Sequence, residues 1–287
     1  MTVTQSTPAT STPAAESAAG PDNLPPPDLF RRPPVFADLA DERRHRQERL
    51  TATLRLFGRF GYEEGLAGHV TVCDPERSDT YWVNPLGVPF AHVTVDDLVL
   101  VDRHGTVLDD RHHINLGAFN IHVQIHLARP DVVAAVHTHS IHGRAFSALG
   151  RTLDPITQDA CPFFEDHAIF EDYTGIVLDG EDGRRIAATL GRRKAIILRN
   201  HGLLTVGETV DAAAWWFVAM DRCCHAQLLA QAAGPLTHIP AETARLTRDQ
   251  IGSHLIAWNS FQPLYETVAR AEPDLFGTAR QPAQTPE

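Results

Sequence analysis

Between residues 41 and 60 the apolar positions Leu50, Leu54, Leu56, Phe57 and Phe60 recur at the spacing of one helix face, and Gly61 suits the stop. Beyond it the period changes. Short β-like runs at His69–Cys73, Thr80–Val83 and residues 98–101 are separated by turn pairs such as Asn84-Pro85 and His104-Gly105. Residues 119–128 predict a helix closed by Arg129-Pro130, and residues 132–139 a buried strand. Residues 184–190 predict a short helix and Ala195–Leu198 a second buried strand. Residues 209–233 predict a long helix, with Asp211 in its first turn and Gly234 past its end. Residues 251–271 predict a last helix. Strands interleaved with helices imply an α/β domain, one sheet covered by helices. The chain shows no internal repeat.

The two ends depart from this pattern. Residues 1–38 are rich in Thr, Ser, Ala and Pro, with Pro25-Pro26-Pro27 and Pro33-Pro34. Such a composition cannot build a core and predicts a disordered tail. It also lacks the basic start and apolar stretch of a signal peptide. Residues 277–287 predict a second flexible tail, which leaves 39–276 as the folded unit. Of 287 residues, 43% are hydrophobic and 21% charged, enough to bury a core. The net charge of −11 argues against nucleic acid or an anionic membrane as partner. No run of 18 apolar residues offers a membrane span. Four cysteines without a CxxC pair suit a reducing, cytoplasmic setting. Sixteen histidines direct attention to metal ligands.

The sharpest feature is His137-Thr138-His139, at the end of an apolar run. Residues i and i+2 of a strand share a face, so both imidazoles project together. Neutral imidazole suits zinc, iron and related ions. A second signal is Asn200-His201-Gly202, directly after Ala195–Leu198, where sites tend to form on α/β sheets. Gly202 lets the backbone turn sharply there. HxH alone also fits two surface histidines at a strand end; with His201 the pattern predicts a three-histidine metal site with an open position.

Val136-His137-Thr138-His139-Ser140, with Leu198-Arg199-Asn200-His201-Gly202-Leu203, resembles the class II aldolase/adducin family. Gly68-His69-Val70-Thr71-Val72, Asn84-Pro85-Leu86-Gly87 and Ala128-Arg129-Pro130-Asp131-Val132-Val133 extend the likeness over residues 50–233. It implies a single α/β domain with a mostly antiparallel central sheet between helix layers, and a cyclic homotetramer with sites at subunit contacts. It also implies a divalent metal (Zn, Fe or Mn) on His137, His139 and His201. Sugar-phosphate aldolases of the family carry a Ser-Ser-Glu segment whose Glu is the acid/base. Ala118 stands at that position here, and Leu116 and Gly117 replace the serines. The family's Gly-Asn-x-Ser turn has His69 for its Asn, and its phosphate turn reads Leu86-Gly87. Each change removes a donor that a phosphate needs. These departures resemble the adducin-like branch lacking the catalytic Glu. At the same level the chain is similar to non-haem iron oxygenases of aminocoumarin pathways, which act on an aromatic 2-oxo or 2-hydroxy acid.

Replacement acid/base groups come from four residues. Glu165 leads, within Phe164-Glu165-Asp166-His167, because it restores a carboxylate in a loop; His167 is second. His122 and His126 share one helix face, but Val123 stands where a metalloprotease has Glu, so the pair predicts helix–sheet packing with His122 able to reach the pocket. Tyr173 offers a hydroxyl to a developing oxyanion. Trp215-Trp216-Phe217, Cys223 and Cys224 predict packing, His104, His112, His113, His238 and His254 surface positions, and residues 43–46 a solvated basic face.

The resulting expectation is a metal-dependent carbon–carbon lyase, for aldol cleavage or decarboxylation of an unphosphorylated 2-oxo or 2-hydroxy compound. Its alternatives are an iron oxygenase on the same three histidines and a non-catalytic, adducin-like assembly module.

Overall fold

The computed structural model describes residues 29–108, 112–177 and 180–278. Helix α1 (Leu39–Phe60) starts where the Asp38 carboxylate accepts from the Ala40 amide, and stops at Gly61 in the left-handed region, φ 71°. Strands β1 (His69–Cys73), β2 (Thr80–Val83) and β3 (Val99–Asp102) form an antiparallel meander. Helix α2 (Leu116–Ala128) leads to β4 (Ala134–Thr138), and α3 (Ile141–Ser147) follows. Next come β5 (His167–Phe170), α4 (Gly180–Leu190), β6 (Ala195–Leu198) and β7 (Gly202–Gly207). The long α5 (Val210–Ala233), α6 (Ala241–Ile251) and α7 (His254–Ala271) complete the described elements.

The seven strands lie in the order β3-β2-β1-β4-β7-β6-β5. Every pairing is antiparallel except β5 with β6, which α4 joins as a crossover. This is the predicted α/β domain with a mostly antiparallel sheet.

Alternation along the strands sorts residues between two helix layers. Val70, Val72, Ala134, Val136, Ala195 and Ile197 pack with the Leu50, Phe57, Phe217 and Phe261 side of the core, under α1, α5 and α7. Ala135, Ile196 and Leu198 face the other way, toward Ile121 and Ile125 of α2 and Ile186 and Leu190 of α4. A Cβ at Gly183 would sit 2.4 Å from the Asn120 carbonyl oxygen, so α4 approaches α2 this closely only because residue 183 is glycine.

The ends bear on the predicted boundaries. Residues 1–28 and 279–287 lie outside the described residues. Within the predicted tail, the Arg31 backbone exchanges hydrogen bonds with the Asn259 amide (3.2 and 2.9 Å), and the Phe36 ring packs 5.0 Å from that of His45. Thr278 donates to Asp96 at 2.8 Å. The basic run 43–46 is not a solvated face. Arg43 pairs with buried Asp74 at 2.8 Å and Arg46 donates to the Cys73 carbonyl at 2.7 Å, tying α1 to the end of β1. His254 is no surface residue either, since its Nδ1 accepts from Trp216 Nε1 at 3.2 Å.

Candidate metal centre

Three strand ends, of β4, β6 and β7, meet at one end of the central strands of the sheet. Thr138 is the last residue of β4, so His137 sits inside the strand and His139 just beyond it. The β6–β7 hairpin pairs Leu198 with Gly202 across the three residues Arg199, Asn200 and His201. Asn200 takes the left-handed conformation (φ 59°), which its short polar side chain tolerates, and Gly202 has φ 157°. A Cβ on Gly202 would lie 3.3 Å from the Thr138 carbonyl oxygen. The tight hairpin therefore lets β7 run beside β4 and delivers His201 next to the His137–His139 pair.

The three rings form a near-equilateral triangle, with centroids 5.1, 4.7 and 4.9 Å apart. One nitrogen from each lies within 4.8 Å of the others, and His139 Nε2 is 3.0 Å from His201 Nε2. Ligand nitrogens about 2.0–2.1 Å from a tetrahedral zinc would stand about 3.3 Å apart, so the spacing fits. His137 Nδ1 donates to the Leu203 carbonyl at 2.7 Å, which leaves Nε2 bare for an ion. Burial, then the neighbouring rings, pushes the His137 pKa well down. Burial and His139 lower that of His201 to about 4. Burial and Arg144 lower that of His139. All three are therefore neutral near pH 7, the form that ligates. The donor set fits a divalent ion.

The triangle opens into a cavity of about 320 Å³. Leu66, Ile121, Ile176 and Val177 give it apolar walls, and Asn115, Gly117, Ala118 and Tyr173 complete much of the rest. Asn115 caps α2, accepting from the Ala118 amide at 3.1 Å. No carboxylate lines the cavity among the described residues.

The predicted replacement groups separate. Tyr173 lines the cavity and is 55% exposed, at its mouth. Glu165 does not line it. The carboxylate is exposed and bound by Arg245 at 2.7 and 2.9 Å, which holds its pKa down. His167 begins β5 opposite Ala195 in the parallel pair, whereas His201 lies beyond Leu198 at the other end of β6. Three strand residues span about 10 Å, so neither Glu165 nor His167 can reach the histidine triangle. Both His167 nitrogens are engaged, one with the Phe163 carbonyl at 2.5 Å and the other accepting from the Leu153 amide at 2.9 Å. His122 is fully buried behind the cavity wall.

The residue missed by sequence reasoning is His69. It pairs directly with His137 across β1 and β4, lines the cavity and is 2% exposed. Burial, with nearby His201 and His139, lowers its pKa to about 3. The usable signal was strand alternation, which puts His69 on the face of Thr71; the β1–β4 register was the absent information.

Comparison with known proteins agrees with this geometry. The family model described as Class II Aldolase and Adducin N-terminal domain matches residues 48–228. The chain is 57% identical, over 92% of its length and 96% of the relative's, to 4-hydroxy-3-prenylphenylpyruvate oxygenase/4-hydroxy-3-prenylbenzoate synthase of Streptomyces roseochromogenus subsp. oscitans. It is 56% identical, over 88% of its length and 94% of the relative's, to Decarboxylase NovR of Streptomyces niveus. A solved L-fuculose 1-phosphate aldolase from Glaciozyma antarctica PI12 superposes with a TM-score of 0.80 at 41% identity, over 86% of this chain and 97% of that one. These findings correct the placement in the adducin-like branch. Ala118 does replace the family Glu, but the two relatives above half identity carry the names of catalysts, and the histidine triangle is intact. The chain belongs to the class II aldolase and adducin N-terminal domain family, as one of its metal-dependent enzymes.

Proposed function

We propose that this enzyme cleaves a carbon–carbon bond of a small, unphosphorylated 2-oxo or 2-hydroxy acid, with His137, His139 and His201 as the metal ligands. The observation that carries the reading is the convergence of three neutral imidazoles on the floor of an apolar cavity. A divalent ion held there supplies Lewis-acid polarisation of adjacent substrate oxygens. Leu66, Ile121, Ile176 and Val177 exclude water and accept an aromatic or alkyl body. Tyr173 sits where its hydroxyl can donate to an oxyanion at the cavity mouth. Ala118 and Gly117 leave room where the aldolases place polar groups.

Decarboxylation suits a cavity with no carboxylate among its described lining residues better than aldol cleavage does, because an ionised substrate carboxylate leaves as carbon dioxide without a base first taking a proton, whereas aldol cleavage needs one to take the hydroxyl proton. The name of the Streptomyces niveus relative, a decarboxylase, supports the same choice. An iron-dependent oxygenase is the second reading, favoured by the name of the Streptomyces roseochromogenus relative. Elemental analysis, with carbon dioxide release from 4-hydroxyphenylpyruvate measured in air and under nitrogen, tests both. Iron with oxygen dependence supports the oxygenase. Zinc or manganese with oxygen-independent release supports the lyase. Protein that takes up no metal overturns both.

Fuculose and ribulose phosphates should not be cleaved, since Leu86, Leu116, Gly117 and His69 occupy the donor positions. The close superposition on a fuculose phosphate aldolase from Glaciozyma makes this a sharp test. Robust aldehyde release from either sugar phosphate removes the unphosphorylated class. We also place the enzyme in the cytoplasm, where its four unpaired cysteines are stable. As a homotetramer, it should show four times the chain mass by light scattering. No helix among the described residues is long and apolar enough to cross a membrane.

A further inference from the structure

A buried row of side chains runs behind the cavity, on the α2 side of β1, and its hydrogen bonds have a single consistent direction. His126 Nδ1 lies 3.2 Å from the Val132 carbonyl, which can only accept, so this nitrogen carries the proton. Cys73 Sγ, 3.3 Å from the same nitrogen, is a weak partner and is itself directed at the Val132 carbonyl. His126 is buried and neutral, so its Nε2 accepts, and the donor 2.8 Å away is the Thr71 hydroxyl. With that hydrogen committed, Thr71 Oγ1 accepts from His122 Nδ1 at 2.9 Å. A neutral His122 then has a bare Nε2. That atom is buried without a hydrogen-bond partner, and its ring packs 4.0 Å from the ring of His69.

His69 ends the row. Its ring stands between His122 and His137, 5.4 Å from the latter, and forms part of the cavity wall. Neither of its nitrogens makes a hydrogen bond of good geometry within the protein. A buried imidazole left in this state calls for a partner. Two acceptors of α2 stand beside it, the Ala118 carbonyl and the bare His122 Nε2, and its ring also lines the cavity.

We propose that His69 is a substrate-binding residue that accepts a hydroxyl hydrogen, with His122, Thr71 and His126 as positioning residues that draw its own proton inward and leave a lone pair toward the cavity. The ligand class that satisfies it is a 2-hydroxy acid, or the enol of a 2-oxo acid. A non-enolisable 2-oxo acid of the same shape leaves the lone pair unmatched, and a phosphate oxyanion is repelled by it. The inference rests on the metal-site reading above and names the substrate group that reading leaves open.

Calorimetric titration of the zinc-loaded protein with mandelate and with phenylglyoxylate tests it. The two share a skeleton, and the second has a carbonyl for the hydroxyl and no hydrogen with which to enolise. Mandelate should bind about 3- to 10-fold more tightly, the worth of one hydrogen bond. His69→Phe should remove that preference by weakening mandelate alone, and His69→Gln, which offers an acceptor oxygen, should restore it. Thr71→Val should erode the preference and Thr71→Ser should keep it, a pattern that lost packing does not produce. A wild-type protein without the preference, a preference that survives His69→Phe, or equal weakening of both acids in that variant overturns the proposal while zinc content stays stoichiometric. Failure of the wild type to take up zinc, or to bind either acid, overturns the metal-site reading along with it.

Discussion

His137 and His139 are held differently, although two residues apart. His137 is locked by the Leu203 carbonyl within the sheet, while His139 stands past the strand end with its Nε2 beside that of His201. Replacing His139 with Ala should therefore abolish stoichiometric metal while leaving the fold, and full metal content by elemental analysis would refute its assignment as a ligand. Glu165→Gln, by contrast, should keep metal and turnover within about twofold, because the carboxylate it changes serves Arg245; a loss of about 10²–10⁴-fold would return Glu165 to the chemistry. Buried rings also set the acid limit. The pKa values of His45, His126 and His201 fall to about 4 and that of His69 to about 3, below the usual 6.5, with burial the largest cause in each. The unfolded chain then binds extra protons once pH drops below about 6.5, so stability of the metal-free protein is lost as pH falls toward 4. Urea midpoints should be level above pH 7 and decline from pH 6 to 4; a level midpoint across that range would show that these rings are not buried neutral. At this scale the sequence revealed the His137–His139 pair, because strand alternation alone puts both on one face. His69 carried the same alternation, yet its place beside His137 depends on a pairing between segments far apart in the chain.

Helix α2 shows how an element can be legible while its surroundings are not. Its apolar run and the Arg129-Pro130 stop were readable, but its depth in the molecule is set by α4, through Gly183. Gly183→Ala pushes a methyl group into the Asn120 carbonyl and should cost about 1–3 kcal/mol, seen as a lowered melting temperature. Since Asn115, Gly117 and Ala118 on the same helix line the cavity, the variant should also weaken ligand binding; an unchanged melting temperature would show that the two helices part freely. Strand β7 and helices α3 and α6 went unpredicted for separate reasons. Two glycines bound β7 and mask its run, α3 has only seven residues, and α6 buries Ala244 alone, so it carries no apolar stripe. Residues 164–167, expected as a loop, end in β5, because His167 enters the sheet beside Ala195. Missing β7 hid the hairpin, and with it the reason His201 meets the other two histidines.

Across the molecule, the segment between Arg31 and Phe36 acts as a strap over α7 and α1. A chain beginning at Asp38 keeps the cap of α1 but loses the strap, and should melt a few degrees below one beginning at Leu29. Equal melting temperatures would support residue 39 as the edge of the cooperative unit. The other large-scale feature is that β4 and β7 lie side by side at the centre of the sheet, with α3, β5, α4 and β6 between them in sequence. On a ribosome, β4 and the following His139 emerge with two of the three histidines and no neighbour on that side. The third histidine is synthesised only after the intervening excursion, and must return to a strand made 64 residues earlier, as the His137–His201 separation counts. Long-range pairing of this kind is slow, and domains close as units once their last partner has appeared. Any ion that all three histidines hold would thus be captured late in the life of the nascent chain, since until the hairpin closes only the His137–His139 pair is in place.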